Sequence, residues 1–164
     1  MKWKELVQAA KDFWRPNVYE LIPYLLQDGK KHPFAVICPG GGYAMVSNSR
    51  ELNALGYSAF VVYYHIREKA RFPAPQDDLA RAVREIFDHA EEWNLDTAHY
   101  SVWGSSAGGH LAASFGTESM GYKKYGLPRP EALILAYPVI TMGEKTHLPS
   151  RDNLLGKSAD SAMI

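Results

Sequence analysis

The chain has 164 residues, of which 46% are hydrophobic, enough for one ordinary globular core. Eighteen basic residues balance eighteen acidic ones, with no Lys/Arg run or one-sided basic stripe. Nucleic acid and anionic membrane surfaces are therefore poor candidate partners. The lone cysteine, Cys38, cannot form an intrachain disulfide and reads as a small buried hydrophobe in a reducing compartment. The N-terminus alternates charged and apolar residues, unlike a signal peptide, and no later segment is long and apolar enough to span a membrane. A cytoplasmic protein is expected.

In chain order, Trp3, Leu6, Val7, Ala10 and Phe13 suit one face of an opening helix ended by Pro16. Residues 18–26 read as a strand closed by the turn Asp28-Gly29. Runs 34–38, 59–64 and 133–137 are too continuously apolar for half-exposed strands, which predicts a mostly parallel sheet with helices on both faces. Residues 49–55 predict a short helix closed by Gly56. The longest helix is predicted over 76–93, where Leu79, Ala82, Val83, Ile86, Phe87, Ala90 and Trp93 form one stripe. Asp77 and Asp78 charge its first turn, and Asn94 is its expected C-cap. No repeat or linker divides the chain, so residues 1–164 are expected to form a single α/β domain.

Two glycine-marked stretches carry the chemistry. The first, Cys38-Pro39-Gly40-Gly41-Gly42-Tyr43, follows a buried strand. The second, Gly104-Ser105-Ser106-Ala107-Gly108, is a Gly-x-Ser-x-Gly pattern between a strand and a run of small, helix-compatible residues. A serine on such a turn presents its hydroxyl, and Gly104 and Gly108 let strand and helix approach closely. The pattern is short, and a tightly packed turn without chemistry would also produce it. Its context favours catalysis. An enzyme acting on a carbonyl needs backbone N–H groups around the developing oxyanion, where side chains would block the approach. Gly41, Gly42 and Ala107 are the candidate donors, with Gly40 serving the turn. A phosphate cradle is the competing reading of the glycines, but no Walker or complete dinucleotide-binding pattern is present.

With Phe72-Pro73-Ala74-Pro75-Gln76-Asp77-Asp78 and the extension Gly109-His110-Leu111-Ala112, these stretches resemble the α/β-hydrolase superfamily. The resemblance is closest to esterases and lipases with an HGGG-like loop, including acetyl esterases and acetylxylan-esterase-like proteins. It implies Ser106 as nucleophile and Gly41, Gly42 and Ala107 as the oxyanion hole. Pro39 stands where many members carry His. The resemblance covers only the N-terminal part of that fold, whose triad acid and histidine follow the serine on late loops.

Fifty-eight residues follow Ser106, and residues 141–164 read as a polar segment without further strand and helix units. The chain is thus expected to be truncated at its C-terminus and to lack the triad acid and histidine. His147 is the internal candidate base, with Glu131 or Glu144 between it and Ser106. His110 lies four residues beyond Ser106 on the same helix and reads as a packing residue, while His65 could face the pocket. His32, His89 and His99 read as turn or helix-surface residues. Tyr43, Tyr63, Tyr64 and Tyr137 sit at strand ends and suit either packing or a pocket wall. No spacing suits a metal, and no cofactor is implied.

The expected function is a serine carboxylic-ester hydrolase for small acyl groups, acetyl esters of carbohydrates being favoured by the resemblance alone. A small-molecule ester is the expected partner, with self-association or a C-terminal polypeptide completing the sheet. A non-catalytic hydrolase fragment acting as a binding or oligomerising module is the alternative.

Overall fold

The computed structural model describes residues 19–43 and 55–159. Its strands are β1 (Glu20–Tyr24), β2 (His32–Cys38), β3 (Ser58–Tyr63), β4 (Leu95–Ser105) and β5 (Ala132–Ala136). The described helices are α1 (Ala74–Asp88), α2 (Ser106–Phe115) and α3 (Leu148–Leu154). The strands form one sheet in the order β1-β3-β2-β4-β5. β2, β3, β4 and β5 run parallel, and β1 pairs antiparallel with β3 at the edge.

The continuous apolar runs 34–38 and 59–64 become the central strands β2 and β3, both of whose faces are buried. Run 133–137, expected to be buried likewise, instead forms β5 at one end of the described sheet, where Leu133, Ile134 and Leu135 are exposed because no further described strand or helix lies beyond it. Phe34, Val36 and Cys38 of β2 join Phe60 and Val62 of β3 in the main core, against Leu79, Val83 and Ile86 of α1 and Leu111 and Phe115 of α2. Ala35, Ile37, Ala59, Val61 and Tyr63 form a second buried cluster on the opposite face. Burial of a side chain such as Ile86 contributes roughly 1.5–3 kcal/mol. Phe34 also stacks on Tyr100 and meets Phe60 and Phe87 edge-on, which ties β2 to both neighbouring strands and to α1.

Several boundaries differ from expectation. The strand predicted over 18–26 is the shorter β1, and α1 begins at Ala74 and ends at Asp88 rather than spanning 76–93. Ala90 and Trp93 still belong to or pack against the core, so the apolar stripe is real although the backbone has left the helix. A Leu95 N–H to Ala90 carbonyl bond of 2.9 Å turns the chain into β4. His89, not Asn94, is the C-cap of α1, and Asn94 takes a left-handed conformation at φ +52°. Gly56 is left-handed at φ +84°, as a helix-closing glycine would be. The helices predicted from Trp3 to Phe13 and over 49–55 fall, Leu55 apart, outside the described residues.

The segment expected to lack regular elements contains α3. Pro149 suits the first turn, where its missing N–H costs nothing, and Ser150 and Leu154 are buried. The Arg71 guanidinium donates to the carbonyls of Asp152 and Asn153 at its C-terminal end, where a cation is favourable. No described helix is long and apolar enough to cross a membrane.

Candidate active site

The two glycine-marked stretches meet because β2 and β4 are adjacent and parallel, with Cys38 opposite Gly104. Their carboxyl ends share one rim of the sheet, the position at which open α/β sheets bind ligands. Ser106 is the first residue of α2 and has φ +52°, a left-handed conformation uncommon for a residue with a side chain. The strain is held by close packing. A Cβ on Gly104 would overlap the Gly108 carbonyl, and one on Gly108 would overlap the carbonyls of Cys38 and Pro39. A Cβ on Gly109 would lie 2.8 Å from the Pro138 side chain. The Val139 amide donates to the Ser106 carbonyl at 3.1 Å.

The glycine loop lies directly against this elbow. A Cβ on Gly40 would sit 2.9 Å from the Ser105 carbonyl oxygen and 3.2 Å from Ser106 Cβ. Among the described residues, four hydrogen bonds hold the loop backbone. Tyr64 donates to the Pro39 carbonyl at 2.5 Å, and the Gly40 amide donates to Ser105 Oγ at 3.1 Å. Asn153 Nδ2 donates to the Gly42 carbonyl at 2.9 Å, and the Arg67 amide donates to the Tyr43 carbonyl at 2.6 Å. Gly41, Gly42 and Tyr43 have φ +142°, +62° and +59°. The Gly40 amide is thus engaged, whereas those of Gly41 and Gly42 have no hydrogen-bond partner among the described residues. Ala107 is fully buried in the first turn of α2, at the positive end of the helix.

Each histidine has a definite place. His110 is half-buried, and burial holds its imidazole below the ordinary histidine value. The Tyr43 hydroxyl lies 2.8 Å from His110 Nδ1, and burial pushes the phenol's pKa well up, so the phenol is the donor. His147 is the N-cap residue of α3, and its ring reaches the glycine loop. Its Cε1 would lie 3.7 Å from a Cβ on Gly42, as would Ser150 Oγ. His147 Nδ1 is 2.9 Å from Ser150 Oγ. Ser150 is fully buried, and its hydroxyl pairs with the Nδ1 edge of the imidazole.

His65, at the rim beyond β3, is held twice by Asp78 Oδ2, through its amide and through Nδ1, each at 2.8 Å. Because α1 begins at Ala74, only Asp77 of the expected pair lies in its first turn, and Asp78, one residue further on, braces the end of β3 against the helix. Asp77 accepts from the Tyr125 hydroxyl at 2.7 Å. His32 and His99 pair with Asp28 and Asp96 near the surface, and the His89 ring lies tilted against Trp93, centroids 4.8 Å apart. No described histidine hydrogen-bonds the Ser106 hydroxyl.

Tyr43 and Tyr64 are buried in the core, while Tyr137 is exposed. Cys38 is fully buried, and desolvation pushes its thiol pKa up, as an inert packing residue requires. No group of three or more described His, Cys, Asp or Glu residues could hold a metal. Sequence reasoning did not find Ser105, Tyr64 and Asn153 as supports of the loop. Ser105 had a signal in its adjacency to Ser106, but the other two are brought in by tertiary folding alone.

The arrangement joins a strained serine at a helix N-terminus to a pinned glycine loop whose Gly41 and Gly42 amides have no partner among the described residues. Residues 24–125 match the BD-FAE family. The chain is 39% identical over 127 residues to an acetylxylan esterase from Xylanibacter ruminicola, covering 73% of this chain and 25% of that protein. It is 32% identical over 181 residues to endo-1,4-beta-xylanase B from Butyrivibrio fibrisolvens, covering 95% of this chain and 28% of the relative. A crystal structure of an acetyl ester-xyloside bifunctional hydrolase from Caldicellulosiruptor lactoaceticus superposes with a TM-score of 0.78 at 34% identity. That match covers 91% of this chain and 59% of the solved one. The chain thus spans about a quarter of these two curated relatives' length and under two thirds of the solved structure's. With the fold, the serine elbow and these matches in agreement, the chain belongs to the BD-FAE family, within the esterase and lipase group of α/β-hydrolases.

Proposed function

We propose that this chain carries the nucleophile and oxyanion hole of a serine carboxylic-ester hydrolase acting on small acyl esters of carbohydrates. The observation that carries the reading is Ser106, held at φ +52° between β4 and α2 and packed against Gly40, the first residue of the glycine triplet. Ser106 Oγ attacks the ester carbonyl carbon as a general base takes its proton, and the carbonyl oxygen becomes an oxyanion. The amides of Gly41, Gly42 and Ala107 stabilise that charge. Collapse of the tetrahedral intermediate expels the alcohol and leaves an acyl-Ser106 ester, which water hydrolyses.

His147 is the base candidate that lies at the glycine loop. To act as base through Nε2, the neutral ring must carry its proton on Nδ1 and donate it to the Ser150 hydroxyl. Its Nδ1 partner is a hydroxyl, not the carboxylate of a conventional triad. The preference for carbohydrate acetyl esters rests on the acetylxylan esterase and acetyl ester-xyloside hydrolase relatives.

A fluorophosphonate probe tests the nucleophile directly. It should modify Ser106 in the parent, and Ser106→Ala should abolish labelling. Release of acetate from acetylated xylo-oligosaccharides tests the substrate class. An unlabelled, folded parent would favour a non-catalytic hydrolase fragment that binds a partner.

A further inference from the structure

The nucleophile reading leaves unexplained why α3, more than a hundred residues along the chain, touches the middle of the glycine loop. Asn153 Nδ2 donates to the Gly42 carbonyl at 2.9 Å, and His147 and Ser150 approach the Gly42 Cα from one turn earlier. The helix is itself anchored. Arg71 holds the backbone carbonyls of Asp152 and Asn153, and the Phe72 amide donates to the Leu154 carbonyl at 2.8 Å.

We propose that Asn153 is a positioning residue that sets the oxyanion hole by fixing the peptide plane on the C-terminal side of Gly42. The proposal rests on the reading of Ser106 and the glycine amides given above. A glycine at φ +62° has little intrinsic preference for one orientation of its flanking peptides. The other three bonds to the loop act at Pro39, Gly40 and Tyr43, so Asn153 alone engages a polar group of Gly42 itself among the described residues. Rotation about Gly42 would carry its amide away from a developing oxyanion, and misplacement by about 1 Å can cost on the order of 100-fold in rate.

A merely structural asparagine would affect folding without a selective effect on the chemical step. In the 164-residue chain, Asn153→Ala removes the donor, and Asn153→Asp keeps the shape while turning a carboxylate toward the Gly42 carbonyl. The rate of Ser106 phosphonylation by a fluorophosphonate separates into a maximal rate, kinact, and an apparent affinity, KI. Both variants should lower kinact by about 10-fold to 100-fold with KI within about twofold of the parent. They should also speed amide hydrogen exchange at residues 41–43 while exchange in β3 stays unchanged.

A kinact within about twofold of the parent in both variants overturns the proposal, as does a change confined to KI. If the parent is not labelled at Ser106, the nucleophile reading falls. Unchanged exchange at residues 41–43 in both variants would remove the positioning role independently of that outcome. A variant that fails to fold is replaced by Asn153→Ser, which must show the same selective loss of kinact or loop protection.

Discussion

Gly108 in α2 lies so close to the Cys38 carbonyl at the end of β2 that a Cβ on Gly108 would overlap it. This contact joins the helix behind Ser106 to the strand that delivers the glycine loop. The separation between the Ser106 elbow and the glycine loop is thus set by backbone packing.

Replacing Gly108 by Ala should therefore destabilise the fold by at least about 3 kcal/mol, at the upper end of overpacking costs. The obstruction is backbone on both sides, which cannot move aside as a side-chain tip would. Urea denaturation followed by circular dichroism measures the loss. A well-folded variant with an unchanged midpoint would contradict the packing described.

At Gly42 the outcome should be of a different kind. A Cβ there has ordinary van der Waals neighbours at 3.7 Å, so Gly42→Val suffers mainly from its positive φ, a cost of about 1–3 kcal/mol. If the Gly42 amide binds the oxyanion, acylation of Ser106 by p-nitrophenyl acetate should slow by roughly 100-fold to 1,000-fold in protein that remains folded. A change of only a few-fold would remove Gly42 from the oxyanion hole.

His110 should make the fold sensitive to acid. Its folded-state pKa lies below the ordinary histidine value because burial disfavours the imidazolium. Below about pH 6.5 the unfolded chain binds the extra proton more readily, so this site's contribution to stability falls as pH falls. The exposed His99 works in the opposite sense, because Asp96 raises its pKa and the associated stability is lost as pH rises. His110→Gln keeps an acceptor for Tyr43 and should reduce the loss of stability between neutral and mildly acidic pH. Parallel denaturation midpoints for parent and variant across that range would exclude His110 as the source.

β5 should make the isolated chain self-associate. It lies at one end of the described sheet, and Leu133, Ile134 and Leu135 are each more than a third exposed, with Tyr137 and Ile140 more exposed still. An apolar strand edge favours pairing with another chain. Sedimentation velocity should give an average mass that rises with protein concentration, and Ile134→Lys should suppress the rise. A parent that stays monomeric throughout would refute this expectation.

The sequence by itself determined the order of apolar strands and the two glycine-marked turns, because these are local signals. A buried parallel strand needs a continuous apolar run, and a serine elbow needs small residues two positions to either side. The same locality explains where the reading stopped short. The stripe through Trp93 marks burial, but the bond from Leu95 to Ala90 ends the helical path earlier. α3 was illegible because a seven-residue helix has little intrinsic stability and depends on tertiary contacts, here those of Arg71, Phe72 and Gly42. Only the tertiary structure decided that Ser105, Tyr64 and Asn153 hold the glycine loop, and that His65 belongs to Asp78. Hydrogen bonds between residues far apart in the chain leave no periodicity in the sequence, since they depend on which strands lie side by side and how their ends are aligned.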